Sequence, residues 1–201
     1  GSQFIVHELF GSWMPGDHTT HKFSAGRKLE FWSQLDQDWQ LGLWQPKSLL
    51  DALRPEDQGL TGIFYKFQQE KIEVLAYGSP IFIPTMGPEV REKNGSLVAE
   101  SRWYRSPSPT FPLFDKQNKI VYSLDIPEAS KLVNNRGGGL RVKLGGDTDG
   151  AWVSANGAYK PINSLLLKYK KNLFLPEQDP QTGEVTISPD VGYHQLYGGD
   201  I

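Results

Sequence analysis

Apolar and polar residues alternate along many short runs, and this period of two is what most restricts how the chain can fold. In GLRVKLG, Leu140, Val142 and Leu144 alternate with Arg141 and Lys143. Successive side chains of an extended strand point to opposite faces, so the run has one dry face and one wet face. RKLEFWSQL reads the same way, with Leu29, Phe31 and Ser33 opposed to Glu30, Trp32 and Gln34. Further strand-like runs are QFIVHELF, WQLGLWQ, GIFYKFQQ, KIEVLAYG, PIFIPT, SLVAESRWY, KIVYSLDI, EVTISP and GYHQLY. The 21 Gly and 14 Pro fall throughout the 201 residues, so short elements are joined by turns.

The turn residues sharpen this pattern. KNGS (Lys93 to Ser96) carries the Asn-Gly pair of a tight hairpin. DPQTG (Asp179 to Gly183) and DKQN (Asp115 to Asn118) read as longer hairpin loops. PKSLLDALRPED is a helix candidate, with Ser48 to cap it and Pro55 to stop it. NSLLLKYKKNLFL fits a strand or a short helix equally. RSPSPTFPLF, with its closely spaced prolines, reads as an extended surface loop and not a central strand. The sum is an all-β expectation: an antiparallel barrel or sandwich with long loops and at most one or two short helices. Gly1-Ser2 reads as a vector scar, and residues 3–201 as a single β-rich domain excised from a longer chain.

Charge and cysteine content limit the chemistry. A net charge of -2 provides no basic field for nucleic acid. The chain has no cysteine, which removes disulfides, thiolate metal sites and thiol nucleophiles. No apolar run reaches the ~20 residues of a membrane helix, so no membrane insertion is expected.

NNRGGGLRVKLGGDTDG lacks the lysine and following helix of a phosphate loop and the spaced acids of a calcium loop. It reads as two glycine-rich turns around the strand Leu140 to Leu144. GDHTTH spaces His18 and His21 as helical metal ligands are spaced, but its Gly, Pro and Thr context argues for a turn and strand. No metal or cofactor is expected. Nucleophile-elbow and Ser-x-x-Lys motifs are absent. The carboxylate pairs Asp36/Asp38 and Asp147/Asp149 leave a small carboxylate-dependent hydrolase open, but the main expectation is a protein without catalytic activity. The aromatics carry more weight. Trp103 and Tyr104 sit beside Arg105, and Trp152 and Tyr159 lie in turn-rich sequence. Rigid rings beside forked donors suit glycan or protein contacts. With Arg136, Asp147 and Asp149 these residues form the expected ligand-binding set.

Aromatic, Gly- and Pro-rich strands such as RKLEFWSQLDQDWQLGLWQP, the lack of cysteine and the interrupted C-terminus together resemble the projection domains of non-enveloped virus capsids, such as the astrovirus capsid spike. The resemblance implies attachment to a host glycan or protein receptor, a homodimer, and display on the virion surface. A bacterial carbohydrate-binding or adhesin module, extracellular or on the cell surface, is the alternative.

Overall fold

The structure is a computed structural model that describes residues 6–16, 20–51, 53–85, 87–113, 115–146, 150–169 and 182–201. Strands dominate, with two short helices, and the all-β expectation holds.

The chain opens with the antiparallel pair β1 (Leu9–Trp13) and β2 (His21–Lys28). Helix α1 (Gln34–Asp38) and the two-residue strands β3 (Lys47–Ser48) and β4 (Glu56–Asp57) follow. Then comes the hairpin β5 (Leu60–Gln69) and β6 (Ile72–Ser79). A long excursion carries β7 (Val90–Lys93), β8 (Ser96–Ala99), β9 (Thr110–Leu113), β10 (Lys116–Leu124) and α2 (Ala129–Val133). The hairpin β11 (Gly137–Gly146) and β12 (Ala151–Pro161) returns to the first sheet. A last excursion adds β13 (Leu166–Tyr169) and β14 (Thr182–Asp190), and β15 (Tyr193–Asp200) closes the order.

Two main sheets result. One has seven antiparallel strands in the order β1-β2-β5-β6-β11-β12-β15 and curls into a half barrel. The other has four strands, β13-β14-β10-β9, with β10 and β14 parallel. Its strands come entirely from the two long excursions. Each sheet has its own buried cluster. Trp32, Trp44, Leu60, Phe64 and Leu75 lie against the seven-stranded sheet. Leu97, Ile120, Tyr122, Val185 and Ile187 lie against the four-stranded one.

Several local expectations change. RKLEFWSQL is not a strand: β2 ends at Lys28, and the chain turns inward so that Trp32 stacks on Trp44 at 5.3 Å and 4°. WQLGLWQ is irregular for the same reason, because Trp44 fills the half barrel. The helix expected in PKSLLDALRPED is replaced by the β3–β4 ribbon, with Ser48 buried in it. PIFIPT is also irregular. KNGS forms the expected hairpin, with Asn94 and Gly95 at φ 54° and 73°. The β9–β10 turn comes earlier than DKQN implies, with Asp115 at φ 58°. RSPSPTFPLF is irregular until β9, an edge strand that tolerates Pro112. In NSLLLKYKKNLFL, Leu166 to Tyr169 are strand. Most of DPQTG lies outside the described residues, and Thr182 and Gly183 belong to β14.

The glycines of NNRGGGLRVKLGGDTDG are mostly inside a strand rather than in turns. Gly137 to Gly139 and Gly145 to Gly146 all belong to β11. A Cβ added at Gly139 would meet Ala158 Cβ at 3.0 Å and the Gly157 carbonyl oxygen at 3.2 Å. Gly145 has φ +104°, and a Cβ there would sit 2.4 Å from the Ala151 carbonyl oxygen. Gly145→Ala should therefore lower stability by about 1–3 kcal/mol. Gly150→Ala, at φ +71° with nothing within 4 Å, should cost about 1 kcal/mol. Denaturant midpoints of the two variants check the difference.

Candidate functional site

The register assigns every strand residue of the large sheet to one of two faces. Phe64 pairs with Tyr77, Tyr77 with Gly139 and Arg141 with Leu75, so these residues share the inner face with Trp32. Leu140, Val142 and Leu144 therefore face outward, opposite Ala76, Val74 and Ile72. The alternation read from the sequence is real, but its dry face is the exposed one. Leu140 and Leu144 are each 48% exposed, while Arg141 is 5% exposed.

The same inversion extends along β12. Ser154, Asn156 and Lys160 are buried, while Val153 and Tyr159, which point the other way, are exposed. Polar groups can be buried only where they are bonded. Here the inward side chains grip the backbone of residues 29–59, which fill the half barrel. Arg141 Nη1 donates to the Phe31 carbonyl at 2.9 Å and to Glu73 Oε1 at 3.3 Å. Asn156 Nδ2 donates to the Trp32 carbonyl at 2.6 Å. Asp200 accepts from Ser33 Oγ at 3.2 Å, the Gln34 N–H at 3.0 Å and Ser154 Oγ at 3.0 Å. Asn163 donates to the Leu43 carbonyl at 3.0 Å and also accepts from Lys160 Nζ.

The expected ligand-binding residues do not form one site. Trp103, Tyr104 and Arg105 lie between β8 and β9, beside the four-stranded sheet. Trp103 is exposed and the Arg102 guanidinium lies 4.7 Å from its ring centre. Tyr104 is half-buried against the cluster of the four-stranded sheet, and Arg105 is exposed. Arg136 and Tyr159 lie together at one end of the large sheet, where they line a shallow groove with Tyr193. Tyr159 and Tyr193 stack at 5.1 Å. Trp152 is at the other end of β12 and on the inner face, half-buried under Lys143, whose Nζ is 4.9 Å from the ring centre. Asp147 and Asp149 lie outside the described residues, as does His18. His21 bonds the Tyr65 hydroxyl at 2.9 Å. Of the carboxylate pair Asp36/Asp38, Asp36 accepts from the Leu43 and Trp44 N–H groups at 2.9 and 3.1 Å. Its role is to shape the turn that seats Trp44. Among the described residues, no three His, Asp or Glu side chains group as metal ligands would.

Sequence reasoning missed two sets of residues: the buried polar grip (Arg141, Asn156, Asp200) and the outward rings near β1 and β2. Trp13 stacks obliquely on Phe23 at 5.7 Å, and Phe23 on Tyr65 at 4.9 Å. The period-two signal held both sets, but it could not say which side faces the core.

No protein-family model matches this chain, and no curated protein and no solved structure matches it.

The grip makes a testable demand. Asn156→Ala should cost about 1–3 kcal/mol, because it leaves the buried Trp32 carbonyl without its donor. Val153→Ala on the outer face of the same strand should stay within about 0.5 kcal/mol in aqueous solution. Urea denaturation followed by tryptophan fluorescence distinguishes the two.

Proposed function

We propose that this protein is a non-catalytic scaffold that displays a recognition surface at one end of the seven-stranded sheet. One observation carries the reading. The chain leaves β2, β6 and β12 for its long excursions at one end of the sheet, whereas the ends of β1 and β2, β5 and β6, and β11 and β12 that follow each other closely in sequence lie at the other. Two of the long connections assemble the four-stranded sheet with its separate buried cluster. The elaborated end is where contact residues concentrate. Trp103 stands exposed under Arg102, with Tyr104 anchoring the same turn into the cluster. A ring fixed by its neighbours makes contact area at low entropic cost, and guanidinium donors beside it suit sugar hydroxyls or a protein surface.

A role as scaffold also fits the inner face. Among the inward groups able to exchange protons, Glu73 pairs with Arg141, Asp200 accepts from Ser33 and Gln34, and Lys160, whose pKa burial lowers to about 7, donates to Asn163 Oδ1. Attachment to a host or cell-surface glycan, or to a protein receptor, is the activity this arrangement supports. It is compatible with a capsid projection and with a cell-surface protein.

The reading predicts that a glycan array or receptor-bearing cells retain the wild-type protein. Trp103→Ala should lose at least about tenfold in affinity, consistent with removal of a central aromatic anchor, while its circular dichroism stays unchanged. Binding that survives the substitution, or turnover of a bound oligosaccharide, would contradict it.

A further inference from the structure

The outer face of the seven-stranded sheet has no cover in this fold, and it is apolar. Outward positions include Ile63 at 61% exposure and Trp13 at 64%, together with Leu140, Leu144 and Val153. Most outward positions are aliphatic, aromatic or glycine, and the uncharged polar exceptions Thr61, Gln69 and Gln195, with His21, lie toward the strand ends. Among the described outward residues the one acid or base with a fixed charge is Arg27, at the rim, where it bonds Gln58 Oε1 at 2.9 Å. Soluble monomers rarely leave apolar patches wider than a few hundred Å². The inner face is mixed, with Lys28, Arg141, Asn156 and Lys160 buried beside the apolar cluster of Phe64 and Leu75.

We propose that this outer face contacts the hydrocarbon of a lipid bilayer, and that the seven strands form part of the wall of a transmembrane β-barrel with a polar, filled interior. Four independent features select hydrocarbon over another protein surface.

The first is inverted polarity. A sheet in water turns apolar residues to its core, whereas a membrane barrel turns them out and keeps its interior polar. The second is length. β5 and β11 each have 10 residues and β12 has 11. At ~3.4 Å per residue, ten residues extend about 34 Å, and a tilt of about 40° projects this to about 26 Å. The apolar band of such barrels is about 25 Å tall.

The third is the distribution of rings. Trp13, Phe23 and Tyr65 cluster toward the short-turn end, and Tyr159 and Tyr193 stack at the long-connection end. Between these rows lie Val74, Ala76, Leu140 and Val142. Aromatic rings concentrate at both boundaries of a bilayer, where one part of the ring is dry and the other wet. The fourth is the asymmetry of the connections, since membrane barrels join strands by short turns on one side and long loops on the other. The end that carries the four-stranded sheet would then stand clear of the bilayer.

No helix among the described residues is long and apolar enough to cross a membrane. That criterion applies to helices. A strand spans with alternating residues, so a wall of this kind shows no ~20-residue apolar run. The expectation of no membrane insertion rested on the lack of that run, and the net charge of -2 bears only on attraction to an anionic surface. The inference is independent of Trp103 and is compatible with the cell-surface protein but not with a projection on a non-enveloped capsid, so the receptor reading and the membrane reading can fail separately.

The test uses detergent-solubilised protein added to phosphatidylcholine vesicles, followed by flotation. The wild-type protein should float with the vesicles and resist extraction by carbonate. Acyl chains brominated near the headgroup should quench Trp13 fluorescence, and a Trp13→Phe variant should lose that quenched component. Leu140→Arg should lower the incorporated fraction at least about tenfold, in line with the cost of arginine on the lipid face. Ser164→Arg, in an exposed turn of a long connection, should leave it unchanged. Wild-type protein that stays in the aqueous fractions, as a monomer or as a dimer that buries this face, would overturn the proposal. So would full incorporation of Leu140→Arg.

Discussion

A sheet can present aliphatic side chains outward only if the polar side chains it turns inward find partners there. In this protein that condition is met by residues 29–59. The segment enters the half barrel after β2, and its carbonyl groups accept from Arg141, Asn156 and Asn163. Asp200, on the last strand, reaches back to Ser33 and Gln34 near the start of the segment. The Trp32–Trp44 stack then supplies the apolar filling between these polar contacts. The segment takes Arg141 out of water and in return supplies the Phe31 carbonyl as its acceptor, offsetting a desolvation penalty of several kcal/mol per ion.

The two sheets answer different demands. The seven-stranded sheet is regular, with antiparallel neighbours throughout and an outer face nearly free of charge. The four-stranded sheet is conventional, with Ile120, Tyr122, Val185 and Ile187 turned to its own cluster and Glu184 and Lys119 exposed. Salt links such as Lys168 to Asp190 sit on its surface, and the hydrogen bond from Lys168 holds the Asp190 carboxyl below its usual range. The contrast within one chain is informative. The same composition yields a polar exterior in one sheet and an apolar exterior in the other, so the inversion belongs to the large sheet and not to the chain as a whole.

Much of the fold was legible in the sequence. Period-two runs located β5, β6, β10, β11, β14 and β15, and Asn94-Gly95 located the β7–β8 hairpin. What escaped was tertiary. Leu29 to Ser33 alternate as a strand would, yet the demand for a filled half barrel pulls Trp32 inward and ends β2 at Lys28. PKSLLDALRPED has helix signals, but its neighbours hold it as a ribbon. The candidate site was legible in part. Trp103 and Tyr159 are exposed, while Trp152 points to the inner face and is half-buried under Lys143. Alternation states that two faces differ; it does not state which one meets solvent. An arginine and a leucine at adjacent positions, such as Arg141 and Leu140, carry identical signals in a water-exposed sheet and a lipid-exposed one.

The central claim is that β11 presents leucine and valine to a nonaqueous surrounding and arginine and lysine to the interior. The chain contains no cysteine, so single spin labels can be placed at positions 140 to 144 one at a time. Accessibility to oxygen and to a water-soluble nickel complex, measured in vesicles, reports the surroundings of each label. The account predicts a period of two, with high oxygen and low nickel access at 140, 142 and 144 and the lowest oxygen access at 141 and 143. High nickel access at 140, 142 and 144 would contradict it.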